Sequence, residues 1–187
     1  NPADGTVNWI CEGLKGYIES RPATDRERVY TGTWGAMFYA IDRKTGKKVW
    51  EFDTRRGRYF SPGACWPVVL PYTANGGKQQ EQVIVLSSDY FVRAFQPSTG
   101  EILWASDEAK GRESLGFSPD GKTMYIKGIK NNITAADISK GVYTPLWNTA
   151  MPYESNFIPT RMETTEQYVF IPTEFGVVHA VRTDGSG

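Results

Sequence analysis

Tyr39-Ala40-Ile41-Asp42-Arg43-Lys44-Thr45-Gly46-Lys47-Lys48-Val49-Trp50 aligns position for position with Arg93-Ala94-Phe95-Gln96-Pro97-Ser98-Thr99-Gly100-Glu101-Ile102-Leu103-Trp104. In both stretches a Thr-Gly pair comes shortly before a tryptophan, and an alanine with an apolar neighbour leads into the turn. A looser copy runs from Ala135-Ala136-Asp137-Ile138-Ser139-Lys140 to Gly141, with Trp147 arriving two residues late. A further copy is split. Ala180-Val181-Arg182-Thr183-Asp184-Gly185 supplies its first half, and Asp4-Gly5-Thr6-Val7-Asn8-Trp9 its second.

The tryptophans at 9, 50, 104 and 147 are therefore spaced by roughly 41, 54 and 43 residues, close to the about 40–50 residues of a propeller blade. The polar stretch Thr73–Gln82 accounts for the longest interval and reads as a long hairpin loop. Each unit holds two runs of strand length. The first runs are Val29–Thr33, Val83–Ser87, Met124–Lys127 and Tyr168–Ile171, and the second are Met37–Ala40, Phe91–Ala94, Ile133–Ala136 and Val177–Ala180. A segment before each first run and the short tryptophan strand after each glycine turn bring the count to four strands per unit. No window shows sustained helical periodicity. Gly46 and Gly100 are expected to take positive φ in tight hairpins, and each tryptophan to lie flat between neighbouring sheets. The expected fold is all-β: a β-propeller of four-stranded antiparallel blades, either four blades or half of an eight-bladed ring, over residues 1–187 as a single domain or fragment.

Composition narrows the function classes. The 187 residues carry 21 Lys+Arg against 21 Asp+Glu, so no cationic surplus is available to neutralise a nucleic-acid backbone. No run approaches the length of a membrane span, and Asn1–Gly5 does not read as a signal peptide. The single histidine rules out a site built from two histidines of this chain, and His179 reads as a packed or edge residue on an alternating strand. Cys11 and Cys65 form no C-x-x-C motif. They read as small buried hydrophobes, and a disulfide between them is left open.

The A-x-D-x-x-T-G-x-x-x-W pattern resembles the blade signature of the pyrroloquinoline-quinone (PQQ) quinoprotein-type propeller repeat. That family includes quinoprotein alcohol dehydrogenases, the lipoprotein that scaffolds outer-membrane β-barrel assembly, and propellers appended to other domains. The tail half also looks like propeller segments fused to calcineurin-like metallophosphoesterases. The dehydrogenases hold PQQ with calcium beneath a ring of adjacent cysteines, whereas Cys11 and Cys65 are far apart. The Asp-x-His and Gly-Asn-His ligands of the phosphoesterases do not occur. No cofactor is expected, PQQ with calcium entering only under the oxidoreductase alternative.

Propellers bind ligands on the channel axis or at its mouth, so the segments preceding each innermost strand are the candidate binding residues. They are Glu19, Ser20 and Arg21; Arg58 and Ser61; Arg112, Glu113 and Ser114; and Glu154, Ser155 and Asn156. Arg55-Arg56-Gly57-Arg58 is the densest basic cluster and reads as a solvated loop. Trp9, Gly46, Trp50, Gly100, Trp104 and Trp147 are assigned to blade docking. No catalytic constellation and no metal set is found. The expected function is a non-catalytic, protein-interaction or ligand-sensing module of a larger exported protein, periplasmic or extracellular. Half of a PQQ-dependent oxidoreductase and an accessory domain of a metallophosphoesterase are the alternatives. The Trp9 strand is expected either to complete the last blade or to belong to a larger ring, which two copies of the chain could close.

Overall fold

The structure is a computed structural model, and it describes residues 1–55, 62–63, 65–152, 160–173 and 175–186. Four antiparallel sheets follow one another along the chain. β1 (Ala23–Thr24), β2 (Arg28–Thr33), β3 (Met37–Asp42) and β4 (Lys48–Asp53) form the first blade in that order. β5 (Val68–Thr73), β6 (Gln79–Leu86), β7 (Val92–Phe95) and β8 (Ile102–Ser106) form the second. The third is β9 (Gly111–Phe117), β10 (Thr123–Gly128), β11 (Asn132–Asp137) and β12 (Thr144–Ala150). The fourth is β13 (Glu163–Thr164), β14 (Tyr168–Pro172) and β15 (Val178–Arg182). The chain has an all-β propeller fold, and among the described residues no helix is long and apolar enough to cross a membrane.

Middle strands are buried on both faces, which is why they read as continuous apolar runs. Along β3, Phe38 and Ala40 face the second blade, where the Phe38 ring lies 5.5 Å from that of Phe95. The alternate residues Met37, Tyr39 and Ile41 face Trp9, Cys11 and Leu14 of the N-terminal segment. The third blade repeats the division: Met124 and Ile126 pack towards the second blade, and Tyr125, Ile133 and Ala135 towards Val169, Ile171 and Val181 of the fourth. The period of two along each strand thus feeds two interblade cores.

The tryptophan strands share a register. Trp50 opposes Ala40, Trp104 opposes Ala94 and Trp147 opposes Ala135, with a bulge immediately beside each pair. Because Lys48, Ile102 and Pro145 oppose the next residues, Val49, Leu103 and Leu146 are the extra, unopposed ones. A bulge bends its strand and re-aims the adjacent side chain, here the tryptophan. Trp50 Nε1 then donates to the Pro97 carbonyl at 2.8 Å, Trp147 Nε1 to that of Thr183 at 3.0 Å, and Trp9 Nε1 to that of Arg43 at 2.9 Å. Each bond ends in the turn between the third and fourth strands of the following blade, or its counterpart after β15. Gly46 and Gly100 adopt φ of 71° and 74°, as their turns require. A Cβ on Gly46 would lie 2.7 Å from the Trp9 ring, and one on Gly100 would lie 2.6 Å from that of Trp50.

One sequence expectation is corrected. The stretch Thr73–Gln82 is a loop only at residues 74–78. Gln79–Gln82 belong to β6 and pair with Thr73–Leu70 of β5, because Tyr72 bonds Gln80 at 2.6 Å and Gln82 is fully buried. Trp104 does not dock on Gly141. The two additional residues after Gly141 widen that turn, and the Tyr72 ring occupies the place against the glycine. Residues 1–22 form no strand, and among the described residues β15 pairs with β14 alone.

Candidate functional site at the channel mouth

Antiparallel alternation sorts the loops onto two ends. One end carries the lead-ins to β1, β5, β9 and β13 together with the turns after β2, β6, β10 and β14. The opposite end carries the remaining hairpin turns, whose polar side chains cap their own backbones. Asp42 accepts from the Lys44 and Thr45 N–H groups at 3.0 and 2.7 Å, and Asp120 from the Lys122 N–H at 3.1 Å. The hydrogen bonds from Thr45 hold the Asp42 carboxyl below the usual carboxylate range, and the Ser118 hydroxyl does the same for Asp120.

Between the innermost strands lies a cleft of about 140 Å³ to which all four blades contribute. Buried Cys65, Leu115 and Met162 give it an apolar base, and Trp66, 40% exposed, stands at its side. Arg21, Arg161 and Glu163 supply the charge, Arg161 Nε lying 3.1 Å from Glu163 Oε1. Arg21 is exposed and makes no ion pair among the described residues. The Cys65 thiol is engaged structurally: it accepts from the Leu86 N–H at 3.3 Å and donates to the Trp66 carbonyl at 3.8 Å. Cys11 and Cys65 are free and lie in different clusters, so they form no bridge.

Thr160 ties the cleft together. Its N–H donates to Ser114 Oγ at 3.1 Å, and its hydroxyl accepts from the buried Lys127 Nζ at 3.2 Å and reaches the Pro172 carbonyl at 3.4 Å. The side wall of the fourth blade is thereby fastened to the third.

The residues expected at the axis divide. Arg21 lines the cleft and Ser114 supports it through Thr160. Ser20 is buried beside it, its N–H donating to the Gly63 carbonyl at 3.1 Å. Glu19 turns away and accepts from Trp34 Nε1 at 2.6 Å. Arg112 is half-buried on β9 outside the cleft lining. Arg58, Ser61, Glu154, Ser155, Asn156 and the Glu113 side chain lie outside the described residues, as do Arg56 and Gly57 of the basic cluster. Sequence reading missed Trp66, Leu115, Thr160, Arg161 and Met162. Trp66 carried the one available signal, since it and Trp34 are the tryptophans that the repeat does not use.

A family model described as outer membrane protein assembly factor BamB matches residues 1–144. The chain belongs to that family. BamB from Moraxella catarrhalis matches 97% of this chain at 17% identity with a TM-score of 0.66, over 54% of its own length. The computationally designed Ika4 protein matches 95% of the chain at 16% identity with a TM-score of 0.65, over 98% of its length. The designed Ika8 protein matches 92% at 16% identity with a TM-score of 0.67, over 48% of its length. This BamB-family chain thus spans about half the length of the Moraxella protein, and at such identities the likeness is one of fold. No curated protein matches the chain. Among the described residues, no group of three or more His, Cys, Asp or Glu is disposed to hold a metal ion.

Proposed function

We propose that the chain is a protein-interaction module that docks a polypeptide partner on its channel-mouth end and carries out no chemistry itself. The observation that carries this reading is the asymmetry of the two ends. Tyr17 and Phe175, 53% and 61% exposed, project with Ile18, Val177 and Trp66 from lead-ins and turns of the mouth end. The opposite end is built mostly of self-capped polar turns, and its exposed large apolar residues are aliphatic: Val142, and Val7 and Ile10 beside Trp9. Exposed apolar groups gathered on one surface mark contact sites, and aromatic residues are the ones that interfaces favour. Membership of a family described by outer-membrane protein assembly supports a scaffolding role on the exported side of a membrane.

The test is site-specific photo-crosslinking in the cells that make the protein. A crosslinker at Tyr17 or Phe175 is expected to trap a discrete partner, and one at Lys44 or Ser98 on the opposite end to trap none. Crosslinks from the opposite end alone would overturn the assignment. Fractionation of the same cells tests the location, recovery in the cytosol being the contrary result.

A further inference from the structure

The cleft has a shape and charge that select among the polypeptides such a surface could meet. We infer that it receives one aromatic side chain of the partner, followed directly by an acidic residue whose carboxylate pairs with Arg21. The inference rests on the interaction reading above and deepens it.

Three observations combine. The first is size: a cavity of about 150 Å³ holds a single benzene ring, and this cleft offers about 140 Å³. The second is lining. Cys65, Leu115 and Met162 are each almost wholly buried and present an apolar base, with the Trp66 indole beside them. An inserted ring would meet both carbon and sulfur contacts and an edge or face of the indole. At that apolar base a hydrated polar group would lose water with no thiol donor to compensate it, because the Cys65 thiol is already committed to Trp66 and Leu86.

The third is charge. Arg161 and Glu163 neutralise each other across 3.1 Å, which leaves the guanidinium of Arg21 as the unbalanced charge among the lining residues. A planar guanidinium pairs with a carboxylate through two parallel N–H donors, and this geometry favours an acidic over an amide side chain. Ring and carboxylate must sit on adjacent residues, since Arg21 borders the same small cleft as the apolar base.

The experiment uses the full chain labelled with ¹⁵N-tryptophan, in which the Trp66 indole signal is assigned by Trp66→Phe. The probe is the peptide Ac-Gly-Phe-Asp-Gly-NH2. Saturable displacement of the Trp66 signal is expected with Kd on the order of 1 mM or tighter. Replacing Phe with Ala should weaken binding about tenfold or more, and replacing Asp with Asn by roughly threefold to tenfold. In the protein, Arg21→Gln should abolish the preference for Asp over Asn while leaving the other indole signals in place, since Arg21 is exposed. The peptide should also bind at least about tenfold more tightly than free 3-phenylpropionate. An unmoved Trp66 signal, equal binding of the Asn peptide, or equal binding of phenylpropionate would each overturn the inference. Mouth-end crosslinks that persist alongside a silent Trp66 would show that the docking surface stands and the cleft assignment fails.

Discussion

Trp104 reaches the next blade through Gln82: its Nε1 donates to Gln82 Oε1 at 2.9 Å, and Gln82 Nε2 donates in turn to the Ile138 carbonyl at 3.0 Å. Trp50 and Trp147 make the equivalent contact directly, to the carbonyls of Pro97 and Thr183. The relay exists because the turn after β11 is wider than its counterparts and Tyr72 occupies the ground against Gly141. A glutamine carries both a donor and an acceptor, so one side chain replaces the missing direct bond.

Gln82→Leu should therefore strand the buried Trp104 N–H, while the Ile138 carbonyl keeps the Gly141 N–H at 3.2 Å. The expected loss is about 1–3 kcal/mol in urea unfolding. Trp104→Phe removes that orphan, so the double variant should fall clearly short of additivity. Additive losses would mean that the two side chains do not act as one unit.

Gly100→Ala and Gly76→Ala separate backbone strain from interblade contact. Both glycines have positive φ, 74° and 87°. A Cβ at Gly100 would meet the Trp50 ring at 2.6 Å, whereas nothing lies within 4 Å of one at Gly76. The Gly76 variant should lose about 1–2 kcal/mol and the Gly100 variant distinctly more, read as a shift of the denaturation midpoint at constant slope. Equal losses would remove the docking role of Gly100.

Asp89 and Arg93 form a bidentate ion pair at 3.0 and 2.6 Å, both residues being buried, with the guanidinium 4.8 Å from the Phe91 ring centroid. Asp89→Ala should cost about 3–5 kcal/mol by leaving a buried cation unmatched. Combining Asp89→Leu with Arg93→Met should restore most of that loss, because it removes the charges together. Thermal unfolding of the three proteins checks the order.

Acid and alkali should act through identifiable groups. Burial pushes the Asp25 carboxyl up, but the Tyr30 hydroxyl, the N–H groups of Glu27 and Arg28, and the Arg28 charge outweigh it, so its pKa lies below the ordinary 3.8. Its contribution is full above the unfolded value and disappears as pH falls through the lower folded one. Asp25→Asn should flatten that limb of the stability profile. At the other end, burial and then the Glu108 charge push the Tyr143 hydroxyl up to about 12. Stability from its protonated form is complete below pH 10 and fades as pH rises through about 12, and Tyr143→Phe should remove that loss.

Arrangements set by short-range rules were legible. The Thr-Gly-x-x-x-Trp spacing located the turn, the docking glycine and the tryptophan strand in two blades, because hairpin geometry and φ preference act within a few residues. The third copy, with Trp147 late by two, already announced an irregular turn. It could not reveal that Tyr72 and Gln82, far away in the chain, would fill the space that this irregularity opened. Gln79–Gln82 misled for a related reason. Their polarity suits a loop, yet β5 and the Ile138 carbonyl supply partners that make a strand of them.

The cleft shows the same limit. Arg21 and Ser114 were within reach, since their position ahead of, or within, an innermost strand follows from the order of strands. Thr160 and Met162 were not, because what they do depends on which residues of other blades stand opposite them. The sequence by itself determined the repeat, the all-β class, the blade order and the turn glycines, all consequences of local backbone preference and period-two burial. Tertiary structure alone decided the bulges that aim the tryptophans, the Gln82 relay and the composition of the axial cleft. Those features arise where separately folded blades meet, and packing across such a junction is settled by shape and unsatisfied polar groups in three dimensions.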